Sequence, residues 1–511
     1  MDTTKSAAVK NRMSLDSEFC GRVPLNQTNL VQPHGVLLVV ENESLQVLQC
    51  SENVHDFFGI GAAALAGTPL DTHLSPGGAD RLRAVLAGGV SGKFPVQLNV
   101  AGTEFLFVVE PGTDSFIAEV EPLSKSTSSF VEVYERLRYV MAGIEGSAGT
   151  EEACHLIARE LKAYSGFDKV MVYRFDKHWN GEVIAEEKEP EMDAYLGLFF
   201  PASDIPRQAR ELYRKNPYRL IPNADYTPIK LHPILNPRTH SFTDLANSNL
   251  RSVAGVHLEY LRNMGVRASM STRILKNGEL WGLIACHHRE PRYLGYEACS
   301  VFEMLSGVIT AKINAVENNA YGSRKAEGHQ LLQQVAESIY SAGDLSAGLD
   351  RESTALLRLL HADGVALVHG RSVHRWGATP APGDVNDLVY WLQSNGERRL
   401  YAQNALSSVY EAGHHFAADA SGLLALPLLP ERGSFLLAFR REAVQKVNWG
   451  GDPTQAVQFE ADGKRYHPRN SFQLWQQTVR ETAPEWEEVH LELGEGLRQL
   501  LLEYLLRKES N

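Results

Sequence analysis

The stretch FFPASDIPRQARELY, residues 199–213, decides how this chain is read. Pro201 and Pro206 each fix a backbone angle and bracket a stiff turn. Between them Ser203 and Asp204 set polar acceptors beside the rings of Phe199 and Phe200. Standing alone, the stretch reads more readily as an ordinary helix N-cap, with Asp204 capping the segment that carries Arg207 and Arg210. It lies, however, inside an interval, about residues 191–256, that is too long for a plain connector and so is expected to build a ligand site.

On either side of that interval the periodicity is regular. Helical spacing runs through VEVYERLRYVMAGI (131–144) and EEACHLIARELKAYSG (151–166), and strands follow at DKVMVYRF (168–175) and GEVIAEE (181–187). Beyond the interval, ASMSTRILKNGELWGLIACHH (268–288) reads as two strands joined at Asn277-Gly278, a dipeptide that favours a type I′ turn. Helix, strands, insertion and hairpin make an α+β domain ending near residue 320. Upstream, VLLVVENESLQVLQC, FPVQLNV, TEFLFVVEP and FIAEVEP supply five strands of an earlier α+β domain, closed by the Ser- and Lys-rich LSKSTSSF (123–130).

Downstream, residues 300–343 are helical with few breakers. At about 1.5 Å per residue such a helix projects well beyond one domain and invites dimer packing. A third domain shows strands at DGVALVHG (363–370), GLLALPLLP (422–430) and SFLLAFRRE (434–442). A long polar excursion follows, and then a final helix over 488–510. Three domains also suit 511 residues at roughly 100–200 residues each. The expected bounds are 1–125, 126–320 and 321–511, with the excursion at about 440–485.

A hydrophobic fraction of 43% with 22% charged residues is that of a globular chain, and a net charge of −12 provides no basic field for nucleic acid. No leader-like or membrane-spanning run is evident, so a cytoplasmic location is expected. Cys20, Cys50, Cys154, Cys286 and Cys299 contain no CxxC pair, which points away from a disulfide framework or a metal site. Four of them sit in apolar or mixed patterns. Cys20 lies in a polar amino-terminal arm, where a thiol is free to react.

PASDIP (201–206), LRSVAGVHLEYLRNMGV (250–266) and LWGLIACHH (280–288), in that order, closely resemble the chromophore-binding GAF domain of phytochromes. VQPHG (31–35) is similar to the first PAS domain of bacteriophytochromes, and WGG (449–451) with PRNSF (468–472) resembles the tongue of the PHY domain. The resemblance covers essentially the whole chain. It implies PAS, GAF and PHY domains joined by long helices, with a figure-of-eight knot in which the arm passes through the GAF insertion and Val31 takes the threaded position. The implied function is red/far-red photoreception by biliverdin IXα, held through a thioether to Cys20. Plant and cyanobacterial relatives attach their bilin at a cysteine just before the GAF histidine; here that position is Val256, which favours biliverdin.

The chemistry of a bilin explains the residue types. Its two propionates suit Arg219 and Arg251, with Ser269 and Ser271, two apart on one strand face, completing the contacts. The resemblance implies that the Asp204 carbonyl and His257 accept the pyrrole protons and that His287 donates to the D-ring carbonyl. Met171, Tyr173, Phe200 and Tyr260 would surround that ring, with Ile205, Pro206 and Tyr213 also in the pocket; without the resemblance these aromatics would simply be core. In the tongue, Arg469 would pair with Asp204 in the red-absorbing state, and Ser471 would replace it as the tongue refolds from hairpin to helix. Trp486 and Glu488 form the W-x-E motif of the helical form.

After Glu492 no phosphoacceptor histidine or ATP motif follows, and G-E-G at 494–496 reads as structural. The chain is therefore expected to be an input module, homodimeric through its long helices. It would signal to a response regulator through a histidine kinase portion lying outside it. The rival readings are a GAF-type cyclic-nucleotide or haem sensor, a dimerisation module without photochemistry, and an enzyme, the last disfavoured by the lack of a catalytic pair or metal cluster.

Overall fold

A computed structural model describes residues 25–88, 92–123, 130–455, 457–459 and 466–510; Cys20 lies outside them. The chain divides into two compact units, one formed by residues up to 314 together with 448–475, the other by 315–447 with 476–511.

The first unit holds two large sheets and a two-stranded pair, Val457–Phe459 with Tyr466–Pro468. In one, strands Val36–Glu41, Val47–Ser51, Phe94–Val100, Thr103–Glu110 and Ser115–Pro122 form the expected antiparallel set. Phe94–Val100 alternates buried and exposed, so one face packs as core around Phe107, Phe116 and Leu98. This sheet is extended from far along the chain, because Ile229–His232 pairs with Val47–Ser51 on one side and with Leu30–Val31 on the other. The insertion expected to build a site thus also completes the earlier domain's sheet.

Six of the eight strands of the second sheet run in the order Tyr218–Ile221, Ala268–Lys276, Glu279–His288, Lys169–Phe175, Gly181–Lys188, Phe199–Phe200. Asn277 and Gly278 both adopt positive φ, 50° and 83°, as a type I′ turn requires. Helices Phe130–Gly146 and Thr150–Ser165 cover its back face. Ile144, Ile157 and Leu161 meet Val170, Val172, Met270 and Ile284 there. With a side-chain period of two, the alternate residues Met171, Tyr173, Ser269, Ser271, Ala285 and His287 face the other way.

Helix Tyr296–Ala342 is 47 residues long, and one 18-residue window reaches a mean hydropathy of 1.3. The sequence gives no expectation of a span, and the apolar content of this helix has a plainer use: Phe302, Leu305, Ile309 and Ile313 lie in the core of the first unit.

In the second unit a five-stranded sheet is ordered Ser372–Gly377, Gly364–His369, Ser434–Arg440, Gly422–Leu429, Tyr401–Gln403. One face packs on Val335 and Ile339 of the long helix and on Leu493, Leu497 and Leu501 of the final helix Glu488–Ser510. The other packs on helix Pro382–Ser394 through Val385, Leu388 and Leu392. The two outer strands escaped sequence reading because SVHRWG and YAQ are short and half exposed, with no apolar alternation to reveal them.

Candidate functional site

The open face of the second sheet is arranged in rows. Backbone register aligns Arg219, Ser271, Ala285 and Met171 in one row, and Ile221, Ser269, His287 and Lys169 in the next. Arg219 donates to the carbonyls of Asn249 (2.9 Å) and Arg251. Arg251, 7% exposed, donates through Nη1 to the carbonyl of Leu25 (2.9 Å), while its Nε has no partner. Among the described residues neither guanidinium forms an ion pair. Burial lowers the pKa of both, and for Arg251, brought to about 9, the charge of Arg219 adds to the effect. Two such cations without an ion-pair partner are costly, and they suit a ligand bearing two carboxylates. Beside them Tyr213 and Ser271 share a 2.5 Å hydroxyl hydrogen bond.

The turn that opened the sequence reading is not a helix cap. Ala202–Asp204 form one 3-10 turn, and helix Arg207–Lys215 starts after Pro206 with no side chain capping it. Asp204 instead accepts two hydrogen bonds on Oδ2, from the Tyr260 hydroxyl (2.8 Å) and from Arg469 Nη2 (2.5 Å). The two side chains of the ion pair are only 3% and 6% exposed. The Arg469 guanidinium lies 4.8 Å from the Phe472 ring centre and 5.2 Å from that of Phe200, so aromatic faces rather than water enclose its charge. Burial pushes the Asp204 carboxyl above its ordinary range, against the pull of Arg469. For Arg469, burial acts to discharge it and is outweighed by the carboxylate, which holds it charged.

The tongue is seated by backbone as well. Trp449 pairs with Phe199 in parallel register, and Asn263 Nδ2 donates to the Arg469 carbonyl (3.1 Å). Gly451, at φ +102°, lies so close to the Ser471 carbonyl that a Cβ there would sit 2.3 Å from it. Ser471 is itself exposed, while Asp204 is engaged by Arg469.

His257 lies parallel to Tyr260 at 11°, and Phe472 meets Tyr260 edge-on at 5.2 Å. His287 is 9% exposed and its Nδ1 has no partner. Burial brings His257 to about 4 and His287 to about 3, helped at His287 by Lys169, so both rings are neutral at pH 7. Met171, Tyr173 and Phe200 gather with Tyr195, Leu280 and Leu283, and Ile205, Tyr213 and Phe472 pack against them. Tyr173 overlies Gly181, where a Cβ would fall 1.6 Å from the ring.

The structure thus gathers the predicted residues on one face of one sheet and the loops above it, apart from Cys20, outside the described residues, and Trp486 and Glu488, in the second unit. Pro206 stands at the helix start. Sequence reading missed Lys169, 1% exposed on its side chain, whose ammonium lies 3.5 Å from the Tyr195 ring centre and 3.6 Å from Glu186. Its only signal was a lysine leading an apolar strand.

The arm reaches the same place. Leu30–Val31 pairs with Ile229 and Lys230, Val31 also bridges to Arg251, and Gln27 bridges to Asp244. Gln32 Nε2 donates to the carbonyls of Leu220 and Asn249, each at 3.0 Å. Val31 is fully buried.

Family profiles match in order along the chain: PAS fold over residues 20–123, GAF domain over 149–313, and Phytochrome region over 328–510. The chain is 36% identical over 501 residues to cyanobacterial phytochrome B of Nostoc sp., covering 97% of this chain and 67% of that protein. It is 34% identical over 508 residues to a bacteriophytochrome of Xanthomonas campestris, covering 97% and 79%. The chain belongs to the phytochrome family. It is a bacteriophytochrome-type PAS, GAF and PHY photosensory module, and it spans about two-thirds of the length of the cyanobacterial relatives. Among solved structures, this phytochrome is similar to a bacteriophytochrome of R. palustris (TM-score 0.85, 33% identity, 96% of this chain and 99% of that one). It is also similar to the Stigmatella aurantiaca phytochrome photosensory core module (TM-score 0.84, 35% identity, 96% and 98%).

Proposed function

We propose that this module is a red/far-red photoreceptor that binds biliverdin IXα through a thioether to Cys20. The bilin supplies light absorption and a double bond to its D ring that isomerises. What carries the reading is the pair Arg219 and Arg251, buried with no ion-pair partner among the described residues above a sheet face of serines, histidine and aromatic rings. These guanidiniums, with Ser269, Ser271 and Tyr213, would hold the propionates. His287, whose Nδ1 has no partner, would donate to the D-ring carbonyl, and His257 with the Asp204 carbonyl would accept pyrrole protons. Met171, Tyr173, Phe200, Ile205, Pro206 and Tyr260 wall the ring without gripping it.

Leu25, five positions after Cys20, bonds to Arg251. Five residues span at most about 18 Å, which keeps the thiol within reach of the pocket. The arm between Ile229–His232 and residues 244–251 supports the proposed knot. The Arg469–Asp204 pair would hold the hairpin tongue, and Ser471, Trp486 and Glu488 would serve its helical alternative. Homodimerisation through the long helices, a histidine kinase output acting on a response regulator, and a cytoplasmic location belong to the same proposal.

The test is to mix the ligand-free chain with biliverdin and record absorbance under alternating red and far-red light. A covalent, photoreversible species is expected, and its absence overturns the reading. Cys20→Ser should remove zinc-induced fluorescence of the denatured band while leaving non-covalent binding.

A further inference from the structure

Arg440 ends the strand Ser434–Arg440, and the chain leaves the second unit after Val447, returning at Gln476. Arg440 is 3% exposed and has no carboxylate partner among the described residues. Its donors are spent on the returning chain and its neighbour. Nη1 reaches the carbonyls of Glu485 (2.5 Å) and Pro484 (3.3 Å), Nη2 meets His490 Nδ1 (3.3 Å), and Nε reaches the carbonyl of His361 (2.8 Å). Its plane lies over the Trp486 ring at 3.8 Å. His490 Nδ1 also accepts from the Glu487 amide (3.1 Å), the role a Glu or Gln plays at the third position of a capping box.

The carbonyls of Pro484 and Glu485 are those that the amides of Glu488 and Val489 would take, four residues on, if the final helix began one turn earlier. Proline at 484 suits a first helical position. Both amides lack a hydrogen-bond partner among the described residues. Arg440 therefore competes with helix growth for the same acceptors.

We propose that Arg440 and His490 form a latch that fixes the start of the final helix at Glu488 and so pins Trp486 in the hairpin form of the tongue. This rests on the tongue switching between hairpin and helix. Because an arginine only donates, His490 must present a bare Nδ1, and a protonated ring cannot serve. The charged and titratable groups facing it are Arg440, His361, Glu487 and Arg324. Burial foremost, then Arg440, brings His490 to about 4 in the latched form. The latch is whole above about pH 6.5, where a free histidine is neutral, and loosens as pH falls towards 4.

Amide exchange of Glu488 and Val489, measured in the full chain with no bilin added, tests this. Arg440→Lys, a point charge that cannot span these acceptors, should raise their protection about tenfold or more as the helix takes the freed carbonyls. In the native chain protection should rise about tenfold between pH 7.5 and 5.5; in His490→Gln, which keeps an acceptor without a titrating ring, it should stay flat. Should Arg440→Lys not fold, Trp486→Phe should shift protection in the same direction by less. Unchanged protection in the folded variant, or equal pH dependence with and without His490, overturns the latch. Loss of photochemistry in the native chain would overturn the light-driven reading and leave this measurement standing.

Discussion

Arg469 meets an acid inside a cage of rings, whereas Arg219 and Arg251 share one floor of the same domain with no ion-pair partner among the described residues. The first has its acid within the protein, on Arg469 Nη2, although Nε and Nη1 of the same guanidinium find no hydrogen-bond partner among the described residues. Its cost of burial is offset in part by Asp204, which fits the switch contact proposed above. The second lacks an ion-pair partner among the described residues, which suits the anionic ligand proposed above. A buried charge alone does not reveal function; whether its partner belongs to the chain does.

The largest effect should come from breaking the Arg469–Asp204 pair. Asp204→Asn keeps the shape and leaves Arg469 buried and unpaired, a change that costs about 3–5 kcal/mol at sites of this kind. Because residues 448–475 gain little else from the exchange, the loss should appear as faster proteolysis and amide exchange there. A tongue as protected as in the native chain would show that aromatic packing, not charge, seats it.

Second comes the acid response of the ligand-free chain. His287 is held neutral with its pKa near 3, below the 6.5 of an unfolded histidine. The unfolded state binds the extra proton between those values, so stability is whole above about pH 6.5 and falls as pH drops towards 3. The loss is on the order of 3–5 kcal/mol from this ring. Urea titrations from pH 7.5 to 4.5 should show the slope, and His287→Gln should flatten it. An unaltered slope would move the acid sensitivity to His257 or His34, both also brought by burial to about 4.

The pair Arg219 and Arg251 should answer in the opposite sense. Arg251→Leu removes an uncompensated cation, so the ligand-free chain should keep its stability or gain about 1 kcal/mol in urea. Biliverdin affinity should fall roughly tenfold to a hundredfold, the worth of a charge-assisted hydrogen bond. A destabilised ligand-free chain would mean that Arg251 serves mainly to hold the arm through Leu25.

Sequence revealed what period and motif encode. The five strands between Val36 and Pro122, Lys169–Phe175, Gly181–Lys188, the hairpin at Asn277 and the long helices carry a clear period, whereas Tyr218–Ile221 and Ile229–His232, inside the insertion, show none; the candidate site residues come largely from the resemblance that short motifs carry. What stayed hidden depended on tertiary neighbours. Asp204 looked like a cap because a proline turn before a helix is the common setting for one. Its partners Tyr260 and Arg469, the latter 265 positions later, lie beyond any local period, and the pairing with Arg469 is expected from sequence only through the resemblance. Lys169 and Arg440 were unremarkable because a single basic residue at a strand end carries no period and no motif; burial alone singles them out. The edge strands of the second unit were missed for lack of alternation.

The smallest effect belongs to the helix that follows the turn. Arg207 pairs with Glu211 at 2.9 Å, but the side chains are 78% and 53% exposed, so Arg207→Ala should change stability by no more than about 0.5 kcal/mol. Arg210, one turn along, donates to the Ile205 carbonyl (2.6 Å) and covers the Trp179 ring at 4.5 Å. Arg210→Ala should cost about 1–2 kcal/mol and loosen Asp204 with it, read as faster exchange in residues 202–206. If the two variants behave alike, the turn is held by its prolines and not by this arginine. The ion pair above it would then owe its geometry to the tongue alone.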